Sequence, residues 1–98
     1  MNVIELKKLN DSKKQYSLTV LQFLDPHDED AKKSFWQLKI DYNNKTYFLL
    51  TMRNTIRCFR SLDTIFDFII NDFQNASSIK IVTVNNQSYS IRREQNEN

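Results

Sequence analysis

The most constraining feature of the sequence is one amphipathic segment, residues 57–73, which reads RCFRSLDTIFDFIINDF. Its apolar residues recur at intervals of three and four, as on one face of a helix: Leu62, Ile65, Phe66, Ile69 and Phe73. Ser61 is a suitable N-cap, and Asp63 complements the helix dipole in the first turn. The segment therefore predicts a helix over about 61–75 whose apolar face covers a hydrophobic core.

The end of this helix must be made without glycine, because the chain contains none. We expect the helix to end at Gln74 or Asn75, where Asn adopts the left-handed conformation that glycine usually provides. The absence of glycine also excludes glycine-rich phosphate loops and dinucleotide-binding fingerprints, in which the backbone must approach a phosphate closely.

Most of the remaining chain has the alternation or the β-branched content of strands. The candidate strands are 3–9, 16–24, 35–42, 47–53, 79–84 and 87–92. Asn43-Asn44 and Asn85-Asn86 are typical of tight hairpin turns, because Asn tolerates a positive φ. Residues 3–9 can be read as a strand or as a short helix, and we favour the strand.

These elements predict an α+β fold. We expect a largely antiparallel sheet of about five to six strands with one helix, about 61–75, packed on one face, in the order β-β-β-β-α-β-β. The 98 residues suit a single domain, which we place at 1–93, followed by a flexible polar tail at 94–98. Residues 16–24 become apolar on both faces towards their end, so we expect this strand to be central.

Cysteine usage and hydropathy bear on the compartment. The single cysteine, Cys58, excludes an internal disulfide and suits a reducing cytoplasm. No apolar run is long enough for a signal peptide or a transmembrane helix. We therefore expect a cytoplasmic protein without a membrane partner.

Two places in the sequence invite a catalytic or metal-binding interpretation, and neither supports it well. His27 lies in the acidic loop 25–30 with four carboxylates, but one nitrogen ligand makes a poor transition-metal set, and the calcium-loop spacing is absent. Cys58 lies between Arg57 and Arg60, yet a nucleophilic cysteine needs a positioned base. We predict a non-enzymatic protein with no catalytic residue, metal or cofactor.

Basic and aromatic residues are the stronger functional signal. A surface that combines cations with aromatic rings suits single-stranded nucleic acid, because cations neutralise phosphates and rings stack on bases. The expected phosphate contacts are Lys39, Lys45, Arg53, Arg57, Arg60 and Arg92, and the expected stacking residues are Tyr47 and Tyr89. This interpretation requires Lys39, Arg53, Tyr47 and Tyr89 to share the sheet face opposite the helix. DNA, preferably single-stranded, is then the expected partner.

Other readings of the same residues remain open. The cations are also consistent with an ordinary solvated sheet face whose aromatics stabilise cross-strand pairs, and a net charge of only +2 favours that reading. A protein–protein adaptor or inhibitor is a further alternative, which would dimerise or dock through a sheet edge or through the acidic loop 25–30.

The seven residues RCFRSLD, at 57–63, resemble the Arg-x-Phe-Arg-Ser-Leu-Asp segment of small partition-associated (ParC-like) proteins of plasmids and integrative elements. The resemblance implies an accessory protein of a plasmid or other mobile genetic element, working beside a partition or conjugation system. It supplies no catalytic residue. The chain departs from that family at Asn75-Ala76, where a glycine is expected after the helix. The general layout is also similar to dimeric single-strand-binding coactivators, which implies a homodimer.

Overall fold

The computed structural model describes residues 1–24, 34–85 and 88–92, the last two of them as backbone only. These residues form the helices α1 (Val3–Asp11) and α2 (Leu62–Asp72) and the strands β1 (Ser17–Leu24), β2 (Ser34–Tyr42), β3 (Lys45–Phe48), β4 (Cys58–Phe59), β5 (Ser78–Val82) and β6 (Ser88–Arg92). The acidic loop 25–30 with His27, the second residue of the Asn85-Asn86 turn and the tail 94–98 lie outside the described residues.

The α+β class predicted from the sequence is confirmed, but the sheet is mixed. Its six strands follow the order β3-β2-β1-β5-β6, and the short β4 pairs with β2 beyond the end of β3. Most neighbouring strands are antiparallel, whereas β1 and β5 run parallel. The connection that leads from β4 to β5 contains α2. As expected, β1 is central.

The prediction of a strand at residues 3–9 is wrong, because these residues form most of α1. Asn2 caps this helix and forms a reciprocal capping box with Glu5: Glu5 N donates to Asn2 Oδ1 at 2.9 Å, and Asn2 N donates to Glu5 Oε1 at 3.3 Å. Leu6 and Leu9, three residues apart, are buried. The expectation of a single helix is therefore also wrong within the described residues.

The helix predicted at about 61–75 is present as α2, and Ser61 is its N-cap, accepting a hydrogen bond from Thr64 N at 3.2 Å. The helix ends at Asp72, and Phe73 is the C-cap with φ −129°. Asn75 is not among the residues with positive φ, so the expected left-handed Asn cap is wrong. Asn75 instead forms hydrogen bonds with Asn10.

A buried polar cluster joins three elements at one end of the domain. Asn10 is only 7% exposed, and its Oδ1 accepts from Tyr16 Oη at 2.6 Å and from Asn75 N at 3.0 Å. Asn75 Nδ2 donates in turn to the Asn10 carbonyl at 2.9 Å. The cluster ties the end of α1 to the start of β1 and to the connection that follows α2, and it satisfies the buried polar atoms.

The β2–β3 hairpin is made as predicted, but its return strand is shorter than the predicted 47–53. Asn43 and Asn44 have φ of 53° and 63°, the conformation of a tight hairpin turn. After Phe48 the chain leaves the sheet in a loop, residues 50–57, and β4 then resumes pairing with β2. Asn54, with φ 63°, reverses the chain within that loop. We call residues 50–57 the edge loop.

One hydrophobic core holds the domain together, and it lies on one side of the sheet. Leu18 and Val20 of β1 are buried and pair with Ile40 and Leu38 of β2, which are buried too. The same cluster includes residues of α1 and α2. Both helices therefore cover one face, which we call the helix face, and the alternate residues of the strands form the opposite, outer face.

Candidate nucleic-acid interface on the outer face

A row of paired residues crosses the outer face at right angles to the strands. Thr19 pairs with Lys39 on one side and with Lys80 on the other. The outer strands extend the row, since Lys39 also pairs with Phe48 and Lys80 with Ser90. Paired residues project to the same side of a sheet. We call this set the lysine row; in strand order it is Phe48, Lys39, Thr19, Lys80 and Ser90.

The lysine row lies on the outer face because both neighbours of Thr19 in β1, Leu18 and Val20, are buried on the helix face. Lys80 is exposed and Lys39 is half-buried. Two strand spacings separate them, or about 9–10 Å between Cα atoms. The backbone thus places two lysines on the same face at a defined Cα separation.

Within the lysine row, a cation lies beside an aromatic ring. Lys39 Nζ is 5.5 Å from the ring centroid of Phe48, which is half-buried. This distance is within the range of a cation–π interaction. The interaction orders the lysine side chain next to the ring, so the outer face presents a charge and a flat apolar surface side by side.

The outer face becomes apolar on one side of the lysine row. In the next row Leu21 pairs with Gln37 and with Val82. Beyond it Phe23 pairs with Phe35, and their ring centroids are 5.7 Å apart at an interplanar angle of 32°. These aromatic side chains are half-buried, so the outer face carries an aromatic pair in addition to Phe48.

On the other side of the lysine row the outer face is polar. Ser17 pairs with Asp41, which pairs with Thr46. Thr46 Oγ1 donates to Asp41 Oδ1 at 2.6 Å. Asp41 is the single carboxylate at an outer-face position among the described strands, and a hydroxyl already satisfies one of its oxygens. The cationic row is therefore not balanced by acidic residues on its own face.

The residues predicted to form the interface do not all share one face. Lys39 is on the outer face, as the prediction requires. Tyr47, however, pairs with the buried Ile40 and packs against the core. Tyr89 pairs with Ile81, which packs against the same core. Both tyrosines are thus at helix-face positions, opposite to the expected arrangement.

The remaining predicted cations are dispersed. The Arg57 guanidinium lies 4.9 Å from the ring centroid of Phe59 and 5.0 Å from that of Phe68, so this half-buried side chain is engaged in packing. Arg53 is exposed on the edge loop. The other three are Arg60, exposed before α2, Lys45, exposed at the hairpin opposite Tyr42, and Arg92, at the position opposite Ser78.

The sequence-based prediction of the interface missed several outer-face residues, of which Phe48 and Lys80 are the most important. Alternation did separate Phe48 from Tyr47, but it did not reveal which of the two sets meets the helices. Lys80 had a usable signal: it is the one charge within the apolar, β-branched segment IKIVTV. A lone cation in such a strand indicates the solvated face of a sheet with one buried side.

The net charge of +2 understates the cationic character of the described part of the chain. Residues 1–24, 34–85 and 88–92 hold eleven Lys and Arg but only six Asp and Glu. Most of the remaining carboxylates belong to the acidic loop 25–30. Where side chains are described, no Lys or Arg forms an ion pair with a carboxylate. The charge is therefore segregated along the sequence: the described part of the chain is cationic as a whole, and the carboxylates that offset it lie mostly in the loop 25–30.

Other chemistry is less well supported in the described part of the chain. No group of three His, Cys, Asp or Glu there is arranged to hold a metal ion. Cys58 is an exposed free thiol at an outer-face position, and Gln37 Nε2 donates to its Sγ at 3.8 Å. None of the described helices is long and apolar enough to cross a membrane. The lysine row with its neighbouring rings thus remains the best-formed candidate site.

The chain matches no protein-family model, no curated protein and no solved structure.

Proposed function

We propose that this protein is a non-enzymatic accessory protein that binds single-stranded nucleic acid, DNA in the first instance, across the outer face of its sheet. The observation that carries the proposal is the lysine row, in which Lys39 and Lys80 share one surface with the ring of Phe48. The ammonium groups contact phosphates, and Phe48 supplies a stacking surface for a base.

The shape of the outer face favours a single strand over a duplex. Within the described residues both helices lie on the other side of the sheet, so no helix projects from the outer face to enter a major groove. Aromatic rings on a flat sheet stack only on bases whose faces are free, and duplex bases are stacked on one another. The aromatic pair Phe23–Phe35 extends this stacking surface.

The cellular setting follows from the resemblance at residues 57–63. If RCFRSLD marks relationship to partition-associated proteins, the bound strand belongs to a plasmid or other mobile genetic element during its partition or conjugative transfer. In this chain Ser61 of that segment caps α2 and Arg57 packs on two rings. The segment therefore has a structural role in this chain, and the lysine row supplies the binding chemistry.

The test is oligonucleotide binding, measured by fluorescence anisotropy over a range of salt concentrations. We expect a labelled single strand to bind more tightly than the matching duplex, with an affinity that falls as salt rises by a log–log slope of about −0.7 per phosphate contacted. Lys39→Glu with Lys80→Glu should weaken binding at least tenfold. Lys7→Glu with Lys13→Glu, two exposed positions on α1 and just after it, changes the charge equally and is the matched control.

Two results would contradict the proposal. One is the absence of salt-dependent binding by the wild-type chain at low ionic strength. The other is an equal loss of affinity in both double variants, which would show that net charge matters and the outer face does not.

The native cysteine offers an independent readout of the same surface. Cys58 is the only cysteine, is exposed, and pairs with Gln37 at the edge of the outer face. A bound strand on this face should slow the reaction of its thiol with maleimide. The same reaction in the Lys39→Glu, Lys80→Glu variant should be insensitive to the oligonucleotide.

A second candidate function is a protein–protein adaptor, and the edge loop favours it. Met52 is 71% exposed and Ile56 43% exposed, although the loop that carries them is well ordered by hydrogen bonds. Thr51 N donates to Thr55 O at 2.7 Å, and the two threonine hydroxyls are 2.7 Å apart. A rigid loop that presents apolar side chains suits contact with a protein of the partition or conjugation system.

Paired variants separate the two candidates. Met52→Ser with Ile56→Ser should abolish capture of such a protein and leave oligonucleotide affinity unchanged if the adaptor function holds. Lys39→Glu with Lys80→Glu should have the opposite profile under the nucleic-acid proposal. Arg57 is not a useful site for charge reversal, because its contacts with Phe59 and Phe68 make a loss of stability inseparable from a loss of binding.

A further inference from the structure

Gln37 lies on the outer face between the aromatic rings of the candidate interface. Its neighbours in β2, Trp36 and Leu38, are buried on the helix face, so the Gln37 side chain is on the outer face. Phe35 is two residues away along the same strand, or about 6.6 Å. Phe48 is a diagonal neighbour on β3, about 7–8 Å away. A base stacked on either ring therefore has its edge close to Gln37.

Two sulfur hydrogen bonds orient the amide group of Gln37. Cys58 Sγ donates to the Ile56 carbonyl at 3.8 Å, which commits the thiol proton. The same sulfur accepts a hydrogen bond from Gln37 Nε2 at 3.8 Å. Because the sulfur has no second proton to donate, it selects the NH2 group of the amide and not its oxygen. Oε1 is therefore the end of the amide that is not bound to Cys58.

The Oε1 atom of Gln37 is an acceptor that a ligand can reach. Within the described part of the chain, no group donates a hydrogen bond to it. Every buried side-chain oxygen and nitrogen of the described residues does have a partner. Since Gln37 is only half-buried, its Oε1 must be accessible from the outer face. An accessible acceptor in this position selects a ligand group that donates a hydrogen bond.

We propose that Gln37 reads a base of the bound strand, with Cys58 as its positioning residue, and that it favours a base with an exocyclic amino group, cytosine or adenine, over thymine or uracil. The amino group of cytosine donates to Oε1, whereas uracil and thymine present a carbonyl oxygen in the same place, and two acceptors repel each other. This inference rests on the proposed nucleic-acid function. It adds a base preference to a surface whose lysines contact phosphates, which carry no sequence information.

Two oligonucleotides of equal length, oligo(dC) and oligo(dU), test the preference. They carry the same phosphates, lack the thymine methyl group and differ in the base edge. At mildly alkaline pH, where cytosine is neutral, we expect the wild-type chain to bind oligo(dC) about three- to tenfold more tightly by fluorescence anisotropy, the contribution of one hydrogen bond. Equal, salt-dependent binding of both strands overturns the base preference and leaves the proposed function intact. The proposed function itself fails if neither strand binds in a salt-dependent way.

The role of Gln37 is tested by removing its amide. Gln37→Leu should bind the two strands with affinities within about twofold of each other, because the acceptor is lost, and should keep the wild-type affinity for oligo(dU). Thr19→Val is the matched control, since it removes one polar group from another half-buried residue of the outer face and should keep the full preference. Circular dichroism checks that both variants fold. A preference that survives in Gln37→Leu, or that is lost in Thr19→Val, overturns the assignment.

The role of Cys58 is tested through the same preference. Cys58→Ala frees Gln37 Nε2, and the released amide can turn either end towards the base, so the ratio of the two affinities should fall to about half of the wild-type value or less. Cys58→Ser should restore the ratio, because a hydroxyl also donates to the Ile56 carbonyl and accepts from Nε2. A full preference in Cys58→Ala, or an equal loss in Cys58→Ala and Cys58→Ser, overturns the positioning role.

Discussion

The two faces of the sheet are built from alternate residues of the same strands but have different roles. On the helix face, Leu18, Val20, Leu38 and Ile40 are buried beneath two helices in a single core. On the outer face, the intervening residues are half-buried or exposed, and they combine lysines, hydroxyls and aromatic rings. Along each strand, residues that stabilise the core therefore alternate with residues of the candidate binding surface. Variants of the two faces should therefore separate loss of folding from loss of binding.

The largest expected effect belongs to the helix face. Phe73 is fully buried against Phe68, with ring centroids 4.8 Å apart. Phe73→Ala should lower the free energy of unfolding by about 3–5 kcal/mol, because it removes a large apolar group and leaves a cavity. Phe66, which is only partly buried, should cost less on truncation. Urea denaturation followed by circular dichroism measures both, and an equal cost would contradict the burial difference.

The second largest loss of stability is expected from disrupting the buried polar cluster. Asn10→Ala removes the acceptor of Tyr16 Oη and of Asn75 N. We expect a loss of about 1–3 kcal/mol in unfolding free energy, the cost of leaving a buried donor unsatisfied. Asn10→Asp keeps the acceptor and is the control. A neutral Asn10→Ala would mean that the cluster does not couple α1 to β1 and α2.

A smaller effect separates packing from binding at Arg57. Arg57→Ala should cost about 1–2 kcal/mol of stability, since it removes a guanidinium and its stem from two aromatic rings. Its affinity for a single strand should stay within about twofold of the wild type, measured well below the unfolding transition. A tenfold loss of affinity with unchanged stability would restore Arg57 as a phosphate contact.

The smallest expected change in stability is on the outer face. Lys80→Ala should alter the unfolding free energy by less than about 0.5 kcal/mol, because Lys80 is exposed. Adding Lys39→Ala should cost about 0.5–1 kcal/mol more, because it removes the cation–π contact with Phe48. The double variant should lose the salt dependence contributed by two phosphate contacts. A large loss of stability here would mean that the two faces are not as distinct as the burial pattern indicates.

Local patterns in the sequence predicted a good part of this fold. The period of Ile65, Ile69 and Phe73, together with the Ser61 cap, located α2 within a few residues. The Asn43-Asn44 pair predicted a hairpin because only residues that tolerate positive φ fit that turn. Such predictions succeed because neighbouring residues alone determine them.

The two errors in the helix predictions have different physical origins. Residues 3–9 alternate like a strand, yet the capping box of Asn2 and Glu5 and the burial of Leu6 and Leu9 favour a helix. Asn75 was predicted to cap α2, but Asn10, which is distant in sequence, provides the partners that hold it. The first error overlooked a local capping signal in the sequence. In the second, a contact between distant segments outweighs a weak local preference.

In the candidate site too, some features follow from local sequence patterns and others from tertiary packing. The sequence by itself determined that Lys39 and Phe48 belong to alternating strands, and it predicted that a helix at about 61–75 covers a sheet. Only the tertiary structure decided which alternating set is buried, and it placed Tyr47 with the core and Phe48 on the outer face. The parallel pairing of β1 with β5, which brings Lys80 into line with Lys39, also depends on the path of the whole chain. The physical reason is that alternation assigns the residues of a strand to two faces, whereas packing between distant segments determines which of the two faces is buried.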